Sequence, residues 1–188
     1  MAKLYGLGNY LISEMAVRLM TDPIFNKFVY YKDVDEDGED ILSLPDLESP
    51  IEMLTSKDNR QVHLHRRVPK ILEHQDVNIF IHFDDQKNYN AKSNNIKTLF
   101  VKIGILVHKN CQGTPNGSRE ICIISAIERA LDGKKFVKSL GTCSVDRIVP
   151  LYGLQIEYSG FEVICSIDGF PKNCGEQFEV EEELTCLR

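Results

Sequence analysis

The chain of 188 residues has no apolar run that approaches the ~18 residues a membrane-spanning helix requires, because charge interrupts each run first. No membrane partner is expected. The opening stretch MAKLYGLGNYLISEM lacks the long apolar core and cleavage site of a signal peptide. Its apolar residues are expected to form one helix face instead. The six cysteines, Cys111, Cys122, Cys143, Cys165, Cys174 and Cys186, include no CxxC pair. Without a secretion signal, in a chain long enough to need no staples, they read as free thiols of a reducing compartment. No phosphate loop is complete, since GTPNGS lacks the required lysine. There is no internal repeat and no linker long enough to separate a pair of domains. An excess of positive charge is also missing. The net charge of -6 argues against nucleic acid binding over the whole surface, but does not exclude a protein that DNA passes without sticking.

Hydrophobic residues make up 43% of the chain, enough to bury a real core. Residues 9–20 place Ile12, Met15, Ala16 and Leu19 at helical spacing, with Leu11 and Met20 beside them. Asp22 and Pro23 then suit the N-cap and first position of a second helix, running to about Tyr31. SPIEML allows one more helical turn after Ser49. The period next changes to two. Val77, Ile79, Ile81 and Phe83 share a strand face, as do Leu99, Val101, Ile103, Ile105 and Val107. QVHLHRR predicts a shorter strand near the sheet edge. Between the two main strands, DDQKNYNAKSNN predicts a long, mobile polar connection. Ile123, Ile124, Ile127, Ala130 and Leu131 form the stripe of a later helix, capped by Ser118 or Asn116 and ended by Asp132-Gly133. Strands follow at about 145–151 and 154–167, with a bend or bulge at Ser159-Gly160. The pattern predicts one α+β domain over residues 1–188, a mainly antiparallel sheet with helices packed on one face. An acidic loop at 33–48 and an acidic tail at 171–188 flank its core.

The acidic loop tests a metal-binding reading. DVDEDGED places Asp33, Asp35, Asp37 and Gly38 as a calcium loop of the EF-hand type would. The twelfth position, which needs a bidentate glutamate, is Leu44, and SLPDLESP supplies no exiting helix. A solvated loop, extended by the repulsion of its eight acids between Asp33 and Glu48, is expected instead. A second candidate joins His63 and His65, on the same side of one strand, to His82 and Asp84 on a neighbour, with His108 as a further ligand. Such a cluster would make a small metal-dependent hydrolase the alternative reading. Arg66 and Arg67 stand beside the pair and disfavour a cation. Cys122 and Cys165 fall in a helix stripe and a strand, as small core residues do. No nucleophile is brought beside a base, so neither catalysis nor a cofactor is expected. Lys134, Lys135 and Lys138, beyond Gly133, suit either a helix C-terminus or a partner-facing surface.

Several stretches in order resemble tail-terminator and tail-completion proteins of tailed bacteriophages. LMTDPIFNKFVYY ends a helix and is followed by LPDL. NIFIHFDD leads through KNYNAKSNN to IKTLFVKIGILVHKN. Arg119 opens REICIISAIERALDGKKF, and IVPLYGLQIEYSGFEVICSIDGF closes the match, which spans about residues 9–170. The resemblance implies a β-sheet with helices packed against it. It also implies a non-enzymatic virion protein, forming a ring, usually of six subunits, that caps the tail tube and joins it to the head connector. DNA would pass through the lumen unread. A ring needs two different patches per subunit. The acidic segment, through Asp35, Asp37 and Asp40, either faces Arg66 and Arg67 of a neighbour, each exposed pair contributing about 0–1 kcal/mol, or is solvated or paired within its own subunit.

Overall fold

The computed structural model describes residues 2–34, 37–57, 60–64, 76–90, 93–138, 140–152 and 157–171. Helix α1, Ala2–Thr21, buries Leu11, Ile12, Met15, Ala16, Leu19 and Met20 as one stripe and starts earlier than the periodicity alone indicates. Asp22 separates it from α2, Pro23–Tyr30. The Asp22 carboxylate accepts from the N–H groups of Ile24 and Phe25 at 3.0 and 2.9 Å, and Pro23 stands where no N–H is needed. A 3-10 turn, Ile41–Ser43, and a short helix α3, Pro50–Thr55, each bury one residue, Ile41 and Leu54. Helix α4, Arg119–Leu131, buries its predicted stripe. Gly133 follows its end, and the φ of 66° there is the left-handed conformation that glycine adopts without strain. Ser118 holds the N-cap position of α4 but makes no capping bond; its hydroxyl donates to Glu120 at 2.7 Å.

Among the described residues the main sheet has five strands: β1, Val62–His63; β2, Val77–Asn90; β3, Ser93–His108; β6, Cys143–Pro150; and β7, Tyr158–Pro171. Their order is β1-β2-β3-β7-β6. A small hairpin, β4 Gly113–Thr114 with β5 Gly117–Ser118, lies just before α4. All main-sheet pairings are antiparallel except β1 with β2. Register fixes the faces. Ile79 pairs with Ile105 and Ile105 with Phe161, while Ile81 pairs with Ile103 and Ile103 with Val163. These rows join Val77, Leu99, Val101, Val107, Cys165 and Ile167 in one core with the buried residues of all four helices. On the opposite face Phe80, Leu106 and Tyr158 form a smaller cluster against Leu151, and Lys102 pairs with Glu162 at 3.2 Å.

Three expectations differ from this sheet. The polar segment between the main strands is largely ladder rather than connection, because pairing runs on through Lys87 with Thr98 and Asn88 with Lys97 to Asn90 with Ser93. Backbone hydrogen bonds do not require apolar side chains, so a ribbon can outlast its core-facing pattern. The edge strand is only two residues long and parallel, adjoining a bond from Ile79 N–H to Gln61 O of 2.8 Å. The register shows no bulge at Ser159-Gly160. Gly160 serves close approach instead. A Cβ there would lie 2.5 Å from the Ile105 carbonyl oxygen and 2.8 Å from Leu106 Cδ2.

Candidate functional site

The described imidazoles do packing work. His63 is buried, stacks on Phe80 at 4.9 Å and faces the Asn78 carboxamide oxygen at 3.3 Å. His82 Nδ1 lies 3.0 Å from the carbonyl of Phe83. His108 packs edge-on against Tyr158, and its Nδ1 accepts from Asn110 N–H at 3.3 Å. His65 and the side chain of Asp84 lie outside the described residues. Among the described residues no group of three His, Cys, Asp or Glu is placed to hold a metal ion. The hydrolase reading thus draws no support from them.

The four described cysteines, Cys111, Cys122, Cys143 and Cys165, are free thiols. Burial raises the pKa of Cys111 and Cys122, and a hydrogen bond with Cys143, then burial, raises that of Cys165. These three are not activated as nucleophiles by their surroundings. No helix among the described residues is long and apolar enough to cross a membrane.

Among the described residues, Arg119 is the largest side chain that is wholly buried. Its Nε donates to Cys111 O. Nη1 donates to Phe28 O at 2.8 Å and Tyr31 O at 3.1 Å, and Nη2 to Val34 O at 2.8 Å and Lys32 O at 3.5 Å. The cation thus sits at the C-terminal end of α2, where the last carbonyls lack helical partners and the dipole favours positive charge. Burial lowers its pKa from the ordinary arginine value. The next residue, Glu120, is also buried and accepts from Gln112, Ser118 and Ser159, which ties the first turn of α4 to β7.

Arg119 roots the acidic segment. Asp33, Asp37, Glu39, Asp40, Asp46 and Glu48 are all exposed. Asp40 accepts from Leu42 N–H at 2.8 Å and from the Asn116 amide at 2.9 Å. The Asn116 bond, then the Leu42 bond, holds its pKa below the ordinary 3.8. Lys27 reaches both Asp46, at 2.8 Å, and Leu42 O, at 3.1 Å. Ile41 is buried beneath. A 3-10 turn therefore stands where a calcium loop would need its exiting helix. Asp35, Arg66 and Arg67, on which the expected contact depends, lie outside the described residues.

The opposite end of the helical layer is basic. Arg129, near the end of α4, pairs with Asp22 at the start of α2, so the two helices run antiparallel. Arg18, in the last turn of α1, donates to Ala130 O at 2.9 Å. A cleft of about 410 Å³ opens here, lined by Arg18, Thr21, Asp22, Arg129, Ala130 and Lys134. Lys134, Lys135 and Lys138 are exposed and have no ion pair among the described residues. The layer therefore has anchored acids near the α4 N-terminus and, near its C-terminus, the cations Arg18, Arg129, Lys134, Lys135 and Lys138, which outnumber the acids Asp22, Glu128 and Asp132. The sequence exposed both charge groups but not this placement. Arg18 and Arg129 are far apart in the chain, and only antiparallel packing brings them together.

The model of one family, YomW, matches residues 22–167. No curated protein matches the chain.

Proposed function

The chain belongs to the YomW family, which is phage-derived, and from that premise we propose that it is a structural protein of the virion neck. It caps the finished tail tube and joins it to the head connector as a closed ring of identical subunits, with no catalytic role. Its partners are its own copies, the tail tube and the connector. DNA passes through the lumen without being read. The reading is carried by a phage family on a main sheet shielded on one face by helices, whose outer layer carries groups of opposite charge toward its two ends. A head-to-tail ring needs two such unlike patches on every subunit. The net charge of -6 suits passage of a polyanion without retention.

Disruption of the gene in its phage tests the proposal. Full heads beside unjoined tails, or tails of uncontrolled length, are expected in electron micrographs. Normal, infectious particles lacking the protein would overturn it.

A further inference from the structure

We infer that the basic cleft is the socket for the exposed acids Asp33, Asp37, Glu39 and Glu48 of a second copy of this chain. The inference rests on the ring reading and supplies its contact. Helix α4 has 13 residues, which separates its ends by ~20 Å. The two charge groups therefore cannot neutralise each other within one chain, but can do so between chains in a head-to-tail contact that propagates to closure.

Both halves are prepared for the contact. In the cleft, the one carboxylate, Asp22, is already engaged by Arg129 and by the N–H groups of α2. Arg18 and Lys134 line the same space, with Lys135 and Lys138 in the exposed turn that follows. The socket is thus cationic in balance and open. In the acidic segment, Asp40 and Asp46 are spent on internal bonds to Asn116 and Lys27. Those bonds, with buried Ile41, hold the stretch from Asp40 to Asp46 in place, so little ordering entropy is lost there on docking. Asp33, Asp37, Glu39 and Glu48 remain exposed, with no ion pair among the described residues. These anions thus stand available for a cationic socket.

The test uses the full chain and two neutralised variants. One carries Asp33→Asn, Asp37→Asn, Glu39→Gln and Glu48→Gln. The other carries Lys134→Gln, Lys135→Gln and Lys138→Gln. All substituted side chains are exposed, and circular dichroism checks that each variant folds. Sedimentation velocity at about 0.02 M and about 0.5 M salt brackets the ~10 Å screening length of 0.1 M solutions. The unaltered chain is expected to associate at low salt, and each variant about 10-fold more weakly. An equal mixture of the two variants is expected to stop at one-to-one pairs, because only one socket and one intact segment can then meet.

Variants that associate like the unaltered chain overturn the inference, as does an unaltered chain that stays monomeric at every salt concentration. Loss of association in Arg66→Glu/Arg67→Glu, with the lysine variant unaffected, overturns it in favour of the basic segment 60–70. Unchanged association with lost retention on short duplex DNA overturns it in favour of a polyanion in the cleft. These results leave the ring reading standing, which fails separately if normal particles form without the protein.

Discussion

At the scale of single residues, Arg119 is a wholly buried cation whose loss is expected to be costly. It donates to five backbone carbonyls from two separate stretches of chain. Arg119→Ala removes all of these donors from a buried setting, and is expected to destabilise the fold by about 3 kcal/mol or more, seen as a lower urea midpoint. Arg119→Lys restores only a fraction of this, because an ammonium cannot span the same fork of acceptors. A second expectation concerns acid. The folded pKa of Asp40 lies below its ordinary 3.8. Its contribution is therefore complete above about pH 4 and is lost as pH falls through the folded value. Asp40→Asn should flatten the pH dependence of the urea midpoint below about pH 4 and leave no pH-dependent difference at neutrality. Arg119 was visible in the sequence only as the residue opening a helix. Its burial depends on carbonyls contributed by residues 28–34 and 111, and no local pattern encodes that meeting.

At the scale of elements, sequence periodicity worked where one face meets the core. The stripes of α1 and α4, the Asp22-Pro23 start of α2 and the alternation of β2 and β3 all follow from a buried side facing a wet one. It failed where that contrast disappears. The ladder from Gln86 to Asn90 looks like a loop because its composition is polar, while its pairing is a property of the backbone. The edge strand failed for the opposite reason. QVHLHRR alternates well, yet among its described residues only Val62 and His63 pair. Gly160 was legible as special but for the wrong cause, since a glycine that permits close strand contact and one that permits a bulge look alike in one sequence. Gly160→Ala is expected to cost about 1–3 kcal/mol, because the clash is with backbone at Ile105 and cannot be relieved by rotating a side chain. Thermal unfolding of that variant against the parent measures it.

At the scale of the whole molecule, one core joins the four helices to one face of the sheet. Unfolding is therefore expected to be a single cooperative event. The chain has no tryptophan and seven tyrosines, so tyrosine fluorescence and far-ultraviolet circular dichroism can be followed together. Coincident urea transitions are expected; separated ones would mean that the helical layer detaches first. Fold class was legible at this scale because layer architecture follows from the order of elements. The two charge groups were not, because their members come from distant segments folded to opposite ends of one layer. The anchoring of the acidic segment has a mechanical meaning too. Arg119 rivets its near end to the root of α4, and the Asn116–Asp40 bond fastens it again further along. A pull on this segment would reach α4, and through Glu120 and Ser159 β7, so tension would cross into the sheet.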